Sequence, residues 1–232
     1  IILDNPPDLL VLIDYPGFNM RLARVAKKSG VKVLYYISPQ IWAWRQGRVK
    51  KIRHLVDHMA VIFPFELPFY RDAGVPASFV GHPMADLVNV TMTRAEAVSV
   101  LSLDPERKIV GLLPGSRKSE VSRLLPTILG AARILQSNFE GIQFVLPLAS
   151  TLKDSDVTPF IDQSGLDIRV VHGCMHDLIR ASDAVISVSG TATLEVALVG
   201  TPLVIIYKLS PITYQLAVRL VKVSHKIGRA HV

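Results

Sequence analysis

Short, continuous runs of apolar residues alternate along this chain with longer segments whose apolar positions recur roughly every three to four residues. The continuous runs predict strands at 9–13, 31–37, 58–63, 77–80, 108–113, 142–148, 167–171, 184–188 and 202–206. The periodic segments predict helices near 19–29, 42–55, 66–73, 118–138, 174–182 and 191–199, and a further one over 212–223 with Ile212, Leu216, Leu220 and Val223 on its apolar face. This βαβα rhythm with wholly apolar strands argues for parallel sheets covered by helices on both faces. The rhythm breaks between Gly81 and Asp104, where a polar helix-like segment leads to Asp104-Pro105. The break divides the chain into two doubly wound, Rossmann-like halves, 1–104 and 105–226, followed by a short tail at 227–232.

Composition sharpens this in a few places. The 232 residues suffice for one large core or two modest ones, and a chain half hydrophobic and 19% charged fits buried parallel strands. No apolar run approaches the length of a membrane span, and no charged-then-apolar leader is present. The single cysteine, Cys174, excludes an internal disulfide framework and reads as a small buried hydrophobe. The seven histidines lack ligand spacing, so no metal site is expected. Net charge of +7 and a pI near 9.6 point to an acidic partner. Five of the positive charges crowd into Arg45, Arg48, Lys50, Lys51 and Arg53, directly after Ile41, Trp42 and Trp44. Aromatic residues beside a basic helix fit an anionic membrane surface. A nucleic-acid contact and a merely solvated helix face are the alternatives.

Two strand-to-helix turns carry candidate chemistry. In KIVGLLPGSRKSE (108–120) an apolar strand stops at Pro114-Gly115 and a helix starts in Ser116-Arg117-Lys118. Such a turn aims backbone N–H groups and a helix dipole at one point, and Arg117 adds a planar guanidinium suited to phosphate. In AVISVSGTATLEVALVG (184–200) a second strand ends in Ser189-Gly190-Thr191, with Glu195 one turn into the following helix. Those hydroxyls and amides suit a diphosphate, and the carboxylate could accept from sugar hydroxyls. The structural alternative makes Thr191 an N-cap and Glu195 a helix-dipole partner. A third candidate is Asp14, a carboxylate ending the apolar strand LLVLI before Tyr15-Pro16-Gly17. If partly desolvated it could act as a general base toward a hydroxyl; otherwise it caps a turn. Ser38-Pro39-Gln40 likewise follows a strand. Ligands of such sheets sit beyond the carboxyl ends of strands, so a cleft between the two halves is the expected site.

Taken together, VLIDYPGFNMRLA, YYISPQIWAWRQGRVKKI, FPFELPFY, FVGHPMAD, LLPGSRKSEV, SGTATLEVALVGTP and YKLSPITYQLA make the chain resemble the lipid-A-disaccharide synthase family. These are bacterial glycosyltransferases with two Rossmann-like domains (GT-B type). The resemblance implies an inverting transfer of 2,3-diacylglucosamine from UDP to the 6-hydroxyl of 2,3-diacylglucosamine 1-phosphate, forming a β-1,6 disaccharide with no metal and no cofactor. It matches Asp14 to the family's base and Arg117 to its essential arginine, beside Gly115 and Ser116. It matches Ser189, Gly190, Thr191 and Glu195 to the UDP-binding turn and helix, with Gly173 to Met175 framing the uracil and Ser38 and Gln40 on the substrate side. It implies peripheral attachment to the cytoplasmic face of the inner membrane through Trp42, Trp44, Arg45, Arg48 and Lys51, a homodimer of the full-length protein, and no nucleic-acid partner. Where some relatives carry a second aspartate after the proline, this chain has Gly17.

The resemblance also implies that both ends are missing: a glycine-rich first loop upstream of Ile1 and a returning C-terminal segment. Alone, the fragment is expected to be inactive. Ile227 to Val232, IGRAHV, is what ATC GGA AGA GCA CAC GTC encodes, so the tail reads as a translated sequencing adapter. Rival readings are another UDP-sugar enzyme of the same fold, such as a 2-epimerase or an N-acetylglucosaminyltransferase, and a non-enzymatic nucleic-acid-binding module.

Overall fold

The computed structural model describes residues 4–208 and Gln215; the expected helix over 212–223 and the 227–232 tail lie outside the described residues. The chain forms two compact α/β units that divide between Ala85 and Asp86.

The first unit runs β1 (Leu9–Ile13), α1 (Pro16–Lys28), β2 (Lys32–Tyr36), α2 (Ile41–Trp44), a 3-10 turn (Gln46–Arg48), α3 (Val49–Leu55), β3 (His58–Val61), α4 (Glu66–Asp72) and β4 (Ala77–Phe79), with α5 (Met84–Leu87) at the division. Its four strands are parallel in the order β1-β2-β3-β4, with Val11 opposite Leu34 and Tyr35 opposite Met59. Leu12, Val33, Tyr35, Met59 and Val61 face one side and pack against Ala23 and Ala26 of α1, Ile52 and Leu55 of α3 and Tyr70 of α4. The two alanines, three apart on one helix face, let α1 lie close to the sheet. The other row of β1 departs from the expected two-sided cover: Leu9, Val11 and Ile13 are 49%, 49% and 56% exposed. The basic segment also departs from the single helix expected over 42–55. It breaks at Arg45 (φ −135°, ψ 50°) into α2, the 3-10 turn and α3, and the Gln46 side chain donates to the Trp42 carbonyl at the break.

The second unit holds α6 (Arg94–Val100), β5 (Ile109–Leu113), α7 (Lys118–Asn138), β6 (Gln143–Leu148), a 3-10 turn (Asp154–Asp156), α8 (Thr158–Ser164), β7 (Ile168–His172), α9 (Met175–Ala181), β8 (Ala184–Val188), α10 (Thr191–Val199) and β9 (Leu203–Ile206). Its five parallel strands run in the order β7-β6-β5-β8-β9. Every residue of β5 is buried, and alternate positions feed opposite faces. Val110 and Leu112 pack on α7, while Ile109 packs with Leu178 of α9 and Leu113 with Val196 of α10. Helices therefore cover both faces, as the apolar strands predict. Residues 86–104, grouped with the first half on sequence, pack on this second unit. Ala97, Val98 and Leu101 join Ile109, Val145 and Leu178 in one cluster, and buried Asp177 accepts from the Thr91 and Met92 amides. Helix α6 begins with a capping box between Thr93 and Glu96.

Candidate functional site

The strand order of the second unit places β5 beside β8 while the chain leaves them toward opposite edges of the sheet: α7 leads to β6 and α10 to β9. That is a topological switch point, where the carboxyl ends of two strands splay apart and leave a crevice. A cavity of about 820 Å3 opens there, within the range for small-molecule sites. Gly115, Ser116, Arg117, Gly173, Met175, Ser189, Gly190, Thr191 and Glu195 all line it. These second-half residues singled out on sequence are thus brought to one place, while Cys174, between Gly173 and Met175, is not part of the lining.

The details differ from expectation in instructive ways. Gly115 sits at φ 104°, and a Cβ there would lie 2.7 Å from Glu120 Oε2 and 3.2 Å from a Val188 methyl, so glycine is required. Glu120 itself fills the turn: one carboxylate oxygen accepts from the Ser116 amide at 3.3 Å and the other from the Arg117 guanidinium at 2.7 Å. The carboxylate thus sits where an anionic ligand was expected. Arg117 is otherwise 77% exposed, free to reorient. At α10 the cap residue is Gly190, not Thr191, and no side chain caps the helix. The Thr193 amide donates to the Gly190 carbonyl at 3.2 Å, and the amides of Thr191 and Ala192 before it sit at the positive end of the helix dipole, which attracts anions. Glu195 is not a simple helix-dipole partner. Its Oε2 lies 2.9 Å from Nε2 of His176, whose Nδ1 faces the Asn89 carbonyl at 3.3 Å. Both ring nitrogens of His176 meet acceptors, which fixes Glu195 on the cavity wall. The β7–α9 turn carries two successive left-handed residues, Gly173 (φ 69°) and Cys174 (φ 49°). Cys174 is exposed, not buried as read on sequence, because that turn carries it off the sheet before α9 begins.

In the first unit, Asp14 (φ 45°) and Tyr15 (φ 39°) occupy the left-handed region together, and Ile37 follows β2 at φ 62°. Left-handed non-glycine residues cost of order 1–3 kcal/mol each and gather at functional turns. The Asp14 turn is held through its main chain. The buried Tyr35 hydroxyl donates to the Asp14 carbonyl at 2.6 Å, and the Asn19 amide donates to the carbonyls of Asp14 at 2.8 Å and Ile13 at 3.0 Å. Burial, and then the Asp14 carboxylate, push the Tyr35 hydroxyl up to about 12, so it stays a donor. The Asp14 side chain is exposed, a correction to the desolvated carboxylate expected on sequence. The reason is β1's place at the sheet edge, with its outer row uncovered.

Ser38 and Trp42 also take unexpected roles. Glu66, 1% exposed, accepts from the Ser38 hydroxyl at 2.5 Å, the Trp42 indole at 3.1 Å, and the amides of Ile62 and Phe63 at 3.2 Å and 3.0 Å. Ser38 is buried and committed to this carboxylate, and Trp42 points inward with its ring edge-on to Phe65 at 4.8 Å. Trp44 faces outward, 44% exposed, with the guanidinium of Arg45 4.1 Å from its ring and that of Arg48 at 6.0 Å. Gln40, Trp44, Arg48 and Lys51 line a second cavity, of about 350 Å3, together with Arg21 and Arg24. Sequence reasoning passed over Glu66, Glu120, Tyr35, Asn19 and His176. Glu120 and His176 had a signal, as each sits within a helical turn of a residue already singled out. Tyr35 and Glu66 act through contacts distant in sequence, whereas Asn19 bonds carbonyls five and six residues before it.

Among the described residues no helix is long and apolar enough to cross a membrane, and no group of three or more His, Cys, Asp or Glu is placed to hold a metal ion. Solved structures similar to this chain include an S. aureus MnaA–UDP co-structure (13% identity, TM-score 0.63, covering 93% of this chain and 62% of that one). A UDP-GlcNAc 2-epimerase from Neisseria meningitidis bound to UDP-GlcNAc gives 13% identity and a TM-score of 0.60, covering 94% of this chain and 64% of that one. At such identities the likeness shows a shared fold. Curated relatives named lipid-A-disaccharide synthase are much nearer: 72% identical over 225 residues in Trichlorobacter lovleyi and 59% identical over 225 residues in Geobacter metallireducens. In both cases the match takes in 97% of this chain but 59% of the relative's length. The sequence pattern of the lipid-A-disaccharide synthetase family matches residues 1–230, and the chain belongs to that family of glycosyltransferases.

Proposed function

We propose that the whole protein transfers 2,3-diacylglucosamine from UDP to 2,3-diacylglucosamine 1-phosphate. The observation that carries this reading is the convergence of Gly115–Arg117, Ser189–Thr191 and Glu195 on one cavity in a chain 72% identical to a curated lipid-A-disaccharide synthase. UDP or UDP-GlcNAc in the two neighbours of like fold suits the same cavity.

In this reading the α10 amides and the Ser189-Gly190-Thr191 turn hold the UDP diphosphate, Glu195 accepts from the ribose hydroxyls, and Gly173 to Met175 frame the uracil. Arg117 leaves Glu120 to pair with a phosphate. The acceptor's 6-hydroxyl oxygen attacks the donor's anomeric carbon while its proton passes to the Asp14 carboxylate. The bond from that carbon to the β-phosphate oxygen breaks with its electron pair on UDP, so configuration inverts. Exposed Trp44, with Arg45, Arg48 and Lys51, contacts an anionic membrane surface, keeping the enzyme on the cytoplasmic face of the inner membrane, as a homodimer.

Mass spectrometry of products formed by the whole protein tests this. Wild type yields the disaccharide and UDP. Asp14→Asn keeps the shape of the turn and lowers turnover by about 10²–10⁴ with UDP affinity unchanged. Near-normal turnover of the variant removes Asp14 from the base role.

A further inference from the structure

Between Asp14 and Asp57 the sequence contains no acidic residue and ten Lys or Arg. Four of these cations converge on one cavity of about 350 Å3: Arg21 and Arg24 from α1, Arg48 from the 3-10 turn and Lys51 from α3. No acid lines it. None of the four makes an ion pair among the described residues. Cations elsewhere do: Lys27 and Lys32 pair with Asp57, Arg94 and Lys108 with Asp183, and Lys118 with Asp156. Like charges facing one small volume repel, and a bound anion relieves that repulsion. Two guanidiniums three residues apart on one helix face, opposite a third guanidinium and an ammonium, fit the several oxygens of a phosphate monoester. Apart from Gln40 the rest of the lining is apolar, with Ile41 and Ile52 at 5% and 2% exposure and Met20 and Trp44 beside them. Pro16 and Gly17, which directly follow the Asp14-Tyr15 turn, close one side.

We propose that this cavity is the subsite for a phosphate monoester carried by an amphiphilic sugar, namely the phosphate of the acceptor, so that Arg48 and Lys51 serve this phosphate while Trp44 and Arg45 remain for the membrane surface. The identification of that sugar rests on the transfer reaction proposed above; the anion site itself rests on the four unpaired cations and the cavity. Its place next to the Asp14 turn would fix the acceptor's charged end while its free hydroxyl reaches the base.

The test is titration of the whole protein with glucosamine 1-phosphate, which is water-soluble and lacks acyl chains, in wild type, Arg24→Gln and Arg21→Gln. Both arginines are exposed on α1, so the two variants keep the fold. Affinity is expected to fall about tenfold or more in each variant, while UDP affinity and flotation with phosphatidylglycerol vesicles stay within about twofold of wild type. Unchanged glucosamine 1-phosphate affinity in both variants overturns the proposal. So does loss of vesicle binding with glucosamine 1-phosphate affinity unchanged, which would give these cations to membrane lipid instead. Failure of wild type to bind UDP would sink the transfer reaction and still leave the glucosamine 1-phosphate result readable.

Discussion

Replacing Glu66 by glutamine should unfold the first unit selectively. The carboxylate is 1% exposed and accepts four hydrogen bonds, two from the SPQIW segment and two from the amides that end β3. Glutamine keeps the shape but exchanges one acceptor oxygen for an NH2 group. With the NH2 toward Ile62 and Phe63, both amides face another donor; turned the other way, the Ser38 hydroxyl can rotate to accept from it, and the Trp42 indole alone faces a donor. A hydrogen bond to a charged group contributes about 1.5–3 kcal/mol, so one donor left unpaired and the remaining bonds weakened by loss of the charge put the loss at roughly 2–4 kcal/mol. Against a typical domain stability of about 5–15 kcal/mol this leaves the unit marginal. Both tryptophans of the chain, Trp42 and Trp44, lie in the segment that Glu66 ties down, so indole fluorescence during urea unfolding reads this unit directly. The expected trace shows an early transition in fluorescence while backbone circular dichroism retains a later one from the second unit. A midpoint shift worth less than about 1 kcal/mol would mean that the donors find other partners and that Glu66 does not organise this loop.

Two further substitutions probe the same unit. Tyr35→Phe removes the donor at 2.6 Å from the Asp14 carbonyl and should cost about 1 kcal/mol, with turnover falling more than donor KM changes; equal turnover would show that Asn19 alone holds the turn. Asp57 has its carboxyl held below the ordinary value: burial opposes ionisation, but bonds from Lys27 and the Val33 amide, with Lys32 nearby, outweigh it. A depressed folded value gives stability that is fully present above the unfolded value near about 3.9 and is lost as pH falls through the folded one. Melting curves of wild type and Asp57→Asn should therefore differ most near neutrality and converge below that range; a constant offset would assign the effect to packing.

The fold was legible because apolar runs mark buried parallel strands regardless of context, and β5 is buried along its whole length. The second-unit site was legible for a related reason: a parallel sheet brings its strand ends to one edge, so Gly115 and Ser189 need only be identified as strand ends to be placed together. What escaped depends on partners far apart in sequence. Ser38 looked like a ligand contact at a strand end, but Glu66, 28 residues on, claims its hydroxyl. The break at Arg45 escaped because a run of basic residues reads as helix whether or not the backbone turns within it. Asp14 was placed correctly at its turn, yet its exposure depends on what covers β1, which residue spacing does not encode.

The central claim, that the cavity at the ends of β5 and β8 receives UDP, is tested most directly by calorimetric titration of UDP into the whole protein and its Glu195→Ala variant. Glu195 is held on the cavity wall by His176 at 2.9 Å, so the ribose should lose a charged acceptor already in place. Saturable binding by wild type, weakened by about 1.5–3 kcal/mol in the variant, is the predicted result. Unchanged UDP affinity together with a lower melting temperature would make Glu195 a structural partner of His176 and contradict the assignment of this cavity.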